Sequence, residues 1–156
     1  MFKYSQLSPL WSRKFLGKTK YTIKLWGCLI CSICTMLSDN GNGVQMTPGG
    51  ASRLWRYLTN GALLWSSIKF PGLAWVSRVR ENIDHKTATE YINDDKKGVV
   101  LEVNGIHWVY PVGWFVSWLP YFLCVDPNTY NSHTGEAKIV LMRKSGITGY
   151  SLFHFA

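Results

Sequence analysis

Between Cys28 and Leu37 the apolar positions fall at 29, 30, 33, 34, 36 and 37. That spacing predicts a mostly buried helix, closed by the turn-rich run Ser38-Asp39-Asn40-Gly41-Asn42-Gly43. Thr47 followed by Pro48 is an N-cap and first-turn pair, and Ala51, Leu54, Trp55 and Leu58 then recur at helical spacing until Asn60-Gly61, which predicts a second helix. Leu63 to Ile68 is short-helical, ended by Phe70-Pro71-Gly72. Ala74 to Val79 reads as extended, and the polar segment Lys86 to Asp95 is helix-compatible. Gly98 to Val103 then predicts a strand, with Asn104-Gly105 as a two-residue hairpin turn into a strand over Ile106 to Phe115. Further strands are expected at Tyr121 to Val125 and Ala137 to Met142. Residues 1 to 24 are irregular and polar, with a turn at Ser8-Pro9-Leu10-Trp11 and a short extended piece at Tyr21 to Ile23, and are expected to wrap the core.

Helices first and an antiparallel sheet afterwards give the class α+β, N-terminal helices packed on a C-terminal antiparallel sheet. The 156 residues suit a single domain spanning 1–156. Eight Trp, eight Tyr and seven Phe with 17% charged residues exclude a disordered chain. The net charge of +8 implies attraction to polyanions, among them nucleic acid, anionic lipid and anionic cell-wall polymer, without choosing between them. A nucleic-acid reading lacks a motif, and the aromatics are not interleaved with Lys and Arg. The uncharged stretch Gly105 to Val125 is long enough to span a bilayer, but Pro111, Gly113, Pro120 and His107 interrupt it, so no membrane span is expected. No secretory signal is read in the first residues, MFKYSQLSPLW.

Cys28, Cys31 and Cys34 form a C-x2-C-x2-C run. An iron–sulfur run would want a fourth cysteine near Ser38, and a zinc site would want a neighbouring histidine, so no metal and no cofactor are expected. Cys31 and Cys34 read as small buried hydrophobes, in the reduced state. Cys28 differs, because Gly27 precedes it and it opens the helix. Gly27 is expected to admit a substrate backbone, and the positive end of the helix dipole favours the thiolate that does nucleophilic chemistry. His107, early in a strand that leaves a tight turn, is placed to act as the base for that thiol. Asp126, in Val-Asp-Pro, follows an apolar strand and is placed to orient the imidazole, with Asn128 as a fallback. A buried structural cysteine, an ordinary strand histidine and a turn-forming aspartate before proline are the plain alternatives. His85, His133 and His154 lack the setting of His107.

The stretches Tyr4-Ser5-Gln6, Leu16-Gly17-Lys18, Trp26-Gly27-Cys28 with Cys31-Ser32 and Met36-Leu37, Met46-Thr47-Pro48, Gly105-Ile106-His107-Trp108 with Val112-Gly113, and Val125-Asp126-Pro127 resemble a papain-like cysteine peptidase. Within that superfamily they are most similar to the bacteriocin-processing, double-glycine leader peptidases, including small stand-alone members carried by bacteria and phages. The resemblance implies the papain-like fold, Cys28 as nucleophile, His107 as base, Asp126 as orienting acid, and Gln6 with the Cys28 amide as oxyanion hole. Better-known members carry that glutamine a few residues before the cysteine, and often have Thr-Ser where this chain has Cys31-Ser32. Trp26, Gly27, Trp108 and Trp114 are expected along the substrate cleft. The implied activity is cleavage of a peptide bond in a protein or in a peptidoglycan stem or cross-bridge, with virion or bacterial cytoplasm as the setting. A catalytically silent binding or virion-associated module on the same fold is the alternative, and a larger assembly is a possible partner.

Overall fold

A computed structural model describes residues 1–40, 45–114 and 120–156, the side chain of Trp114 excepted. Residues 41–43 of the expected turn and Phe115 lie outside the described residues. The elements run α1 (Ile23–Trp26), α2 (Cys28–Asn40), α3 (Pro48–Leu54), β1 (Leu73–Val79), α4 (His85–Asn93), β2 (Lys97–Val103), β3 (His107–Trp114), β4 (Tyr121–Asn131), β5 (Glu136–Arg143) and β6 (Ile147–Phe155). The six strands form one antiparallel sheet in the order β1-β6-β2-β3-β4-β5. The chain is therefore α+β.

Strand side chains alternate between the two faces of a sheet, and here both faces are covered over the central strands. Val100, Trp108, Tyr110, Val125 and Phe153 pack with α2 and the N-terminal arm in the larger core. Val99, Leu101, Val109, Phe122 and Cys124 pack on the other side with Ala88 of α4. Helix α2 is buried without interruption from Ile30 to Leu37, sandwiched between sheet and arm. Its two buried hydroxyl residues both have partners, as burial requires: Ser32 Oγ donates to the Trp108 carbonyl at 3.1 Å, and Thr35 Oγ1 accepts the Tyr4 amide at 3.0 Å. The arm wraps the core as its sequence suggested, burying Tyr4, Trp11 and Leu16.

Several expected boundaries move. Helix α2 runs on to Asn40, through Ser38, whose hydroxyl donates to the Thr35 carbonyl and accepts the Phe2 amide. Thr47 caps α3 as expected, accepting the Gly50 amide at 3.1 Å, but the helix stops at Leu54 rather than near Asn60. Trp55 is buried while Leu54 and Leu58 are exposed, because Tyr57 instead pairs with Leu63 in a short bridge. The segment expected as a helix at Leu63 to Ile68 contains only a single 3-10 turn, Trp65–Ser67. Asn104 and Gly105 both take positive φ, 53° and 74°, which fits the tight hairpin, and β3 begins at His107 with Ile106 exposed in the turn. β4 continues past Asp126 to Asn131 with a break in register between those two residues. Proline usually ends a ladder, yet here the arm pairs with the Pro127 carbonyl and keeps the strand on course. β6 was not foreseen at all.

Candidate active site

Two helices meet at Gly27. The Gly27 amide closes α1 on the Ile23 carbonyl, and α2 starts at the next residue. A Cβ on Gly27 would sit 2.4 Å from the Ile23 carbonyl oxygen, so glycine is needed for the junction itself rather than for approach of a substrate. Gly27 is buried and absent from the cleft wall, which corrects its expected place there. The Cys28 amide, at the start of α2, has no intrahelical acceptor and is available to an anion.

Cys28 is half-buried, whereas Cys31, Cys34 and Cys124 are buried completely. Burial pushes all three of those thiols up, away from the thiolate, with the neighbouring thiol groups adding to it at Cys31 and Asp126 at Cys124. The second thiol, one helical turn after the nucleophile candidate, is thus a core residue. Cys31 and Cys34 pack as small hydrophobes.

The Ser32 hydroxyl, one turn after Cys28, holds α2 to the backbone of Trp108, next to His107. This is a positioning contact that the sequence reading did not single out. The register that pairs Tyr110 with Val125 sets His107 and Asp126 a diagonal step apart on neighbouring strands. His107 Nε2 and Asp126 Oδ1 lie 2.7 Å apart. Cys28 is close enough to His107 to help raise its pKa, and with Nε2 committed to Asp126 the ring nitrogen left to serve the sulfur is Nδ1. Burial works to lower the His107 pKa, but the hydrogen bonds to Asp126 and to Cys28, with the charges of both partners, outweigh it and push the value up to about 9. Burial works to raise Asp126, and the His107 hydrogen bond, the Asn128 amide and the imidazolium charge overcome it, so its carboxyl is lowered.

Asp126 also accepts the Asn128 amide at 2.9 Å, so the turn-forming role and the orienting contact belong to the same carboxylate. Asn128 contributes this amide, and its side chain is exposed. The other histidines lie elsewhere: His154 contacts the Tyr91 hydroxyl, His85 contacts Thr89, and His133 sits in the turn between β4 and β5.

Gln6 is buried, and its Nε2 donates to the Lys24 carbonyl at 2.8 Å. That leaves one N–H of the amide uncommitted, while Oε1 is buried with no hydrogen-bond partner. The structure ties Gln6 to β4 beside Asp126 through its backbone, which donates to the Pro127 carbonyl at 2.9 Å.

Cys28 opens onto a cleft of about 580 Å³. Trp26 and Trp108 line it as expected, joined by Tyr57, Leu63, Trp65, Arg78, Arg80 and Glu102, which sequence reasoning missed. They come from segments far apart in the chain, and no local spacing links them. Trp65 stacks on Trp75 with ring centroids 5.9 Å apart and meets Trp108 edge-on at 5.6 Å. The side chain of Trp114 lies outside the described residues.

Among the described residues no group of His, Cys, Asp and Glu side chains is arranged to hold a metal ion. No helix of the described residues is long and apolar enough to cross a membrane. A scan against protein-family models, a search of curated proteins and a search of solved structures each gave no match.

Proposed function

We propose that this protein is a cysteine hydrolase that cleaves a peptide (amide) bond through Cys28, His107 and Asp126. One observation carries the reading: His107 contacts the Asp126 carboxylate at 2.7 Å and feels Cys28, the one of the four cysteines that is not fully buried. A cysteine at the start of a buried helix, with base and acid on adjacent antiparallel strands, supports a papain-like fold. The order of the motifs supports the double-glycine leader peptidase group within it. The substrate is then a peptide segment of a protein or of peptidoglycan, met in a phage virion or the bacterial cytoplasm.

The chemistry is acyl transfer. The Cys28 thiolate forms a bond to the carbonyl carbon, and the carbonyl π pair moves to oxygen. The Cys28 amide and the spare N–H of Gln6 stabilise that oxyanion. The imidazolium of His107 gives its Nδ1 proton to the amide nitrogen as the C–N bond breaks, releasing an amine and leaving a thioester. Nδ1 then takes a proton from water, whose oxygen attacks the thioester. Collapse breaks the C–S bond, frees a carboxylic acid and restores the thiolate–imidazolium pair. Asp126 keeps its proton off throughout, fixing the ring so that Nδ1 faces sulfur.

Cleavage of a peptide or muropeptide panel by the wild type, lost by roughly 10³-fold or more in Cys28→Ala and in His107→Ala, is the expected result. Full activity in Cys28→Ala would overturn the assignment.

A further inference from the structure

The cleft beside Cys28 is apolar and aromatic, with three charged residues in its described wall: Arg78, Arg80 and Glu102. Two of them are spent on each other. Arg78 Nη2 donates to Glu102 Oε1 at 2.8 Å, and both side chains are largely buried, at 19% and 12% exposed. Arg78 also reaches the Val79 carbonyl and lies over the Trp108 ring, its guanidinium carbon 4.5 Å from the centroid. The pair rests on bare backbone at Gly149, where a Cβ would come within 2.6 Å of Arg78 Nη1 and 2.7 Å of Glu102 Oε2.

Arg80 is different. It directly follows the end of β1, lines the same cleft as Arg78 and is exposed. No carboxylate lies within ion-pairing distance of it among the described residues. A guanidinium at the rim of an aromatic cleft, with its neighbour already neutralised, presents a single uncompensated fork to whatever enters. A carboxylate matches that fork in shape and charge.

We propose that the cleft selects an acidic peptide, seating an apolar or aromatic side chain against Trp65 and Trp108 and a carboxylate on Arg80. The inference rests on the hydrolase reading for the identity of the site, and it narrows the substrate class. The shared chemistry is a peptide-borne carboxylate, which a linear acidic segment and a peptidoglycan stem peptide both supply.

The test uses the full chain with Cys28→Ala, so that binding is read without turnover. Calorimetry is run with blocked hexapeptides carrying one Leu or Phe and either Glu or Gln at each other position in turn, and in a second arm with a soluble stem tetrapeptide and its amidated form. At one position the acid binds about three- to fivefold tighter than the amide, the range expected of a solvent-edge ion pair. Arg80→Glu, a surface change, removes or reverses that preference. Equal binding of acid and amide at every position and in both stem peptides overturns the proposal, as does a preference that survives Arg80→Glu. Wild-type turnover of the same peptides separates the two claims. Acid-selective binding without cleavage supports the subsite and counts against the hydrolase, whereas cleavage without acid preference does the reverse.

Discussion

The Gln6 amide donates to the Pro127 carbonyl at 2.9 Å, tying the N-terminal arm to the residue that follows Asp126. Ser5 reinforces the tie, its hydroxyl reaching the Pro127 and Thr129 carbonyls. The Trp11 indole in turn holds the Ser5 carbonyl at 2.7 Å. A glutamine far upstream of Cys28 is thereby fixed beside the acid of the candidate triad, which separation along the chain gives no hint of.

In the hydrolase reading Gln6→Ala lowers kcat by roughly 10²–10³-fold with a smaller change in KM, the effect of removing one oxyanion donor. Steady-state kinetics on any cleaved peptide checks it. A loss confined to thermal stability, with kcat intact, would make Gln6 a strut between the arm and Lys24.

His107 couples folding to pH. Its pKa rises on folding from the ordinary 6.5 to about 9. The stabilisation is fully present below about pH 6.5 and is lost as pH rises through 9. Denaturant melts between pH 6 and 10 are expected to show an alkaline fall in stability that flattens in His107→Ala. Asp126→Asn removes the charge that holds the proton on His107, so the alkaline limb of the pH–rate profile moves to lower pH. The maximal rate falls by roughly 10²–10⁴-fold. An unmoved limb in Asp126→Asn would mean that another group titrates there.

Gly27→Ala places a methyl group into the Ile23 carbonyl and Cγ2, at 2.4 and 2.5 Å. The α1–α2 junction must open, costing about 1–3 kcal/mol. A lower midpoint in chemical denaturation, with reduced reactivity of the displaced Cys28, is the expected outcome. Unchanged stability would show that the junction can relax without loss.

Much of the fold is written in local pattern. The cap at Thr47, the Asn104-Gly105 turn and the short apolar run of β2 each follow from a few neighbouring residues, and the structure keeps all three. What escaped notice depends on distant contacts. β6 carries Gly149 and Ser151 where a buried strand would ordinarily show large apolar residues. Both are explained only across the sheet, Gly149 by the Arg78–Glu102 pair lying on it and Ser151 by the Trp75 indole, which donates to its hydroxyl at 2.9 Å. Likewise, Leu58 and Leu54 keep helical spacing but are left outside the core by the Tyr57–Leu63 bridge. For the site, residue type and order along the chain suggested Cys28, His107 and Asp126. The cleft wall at Trp65, Arg78, Arg80 and Glu102 needed the sheet order to come together.

Activation of Cys28 by His107 is read from pH-dependent alkylation followed by mass spectrometry. Cys31, Cys34 and Cys124, all buried, serve as internal controls in the wild type and in His107→Ala. Fast, selective modification of Cys28 at and below neutral pH, disappearing without His107, is the expected result. Uniformly slow alkylation, unchanged by His107→Ala, would contradict it and mark the protein as a silent scaffold.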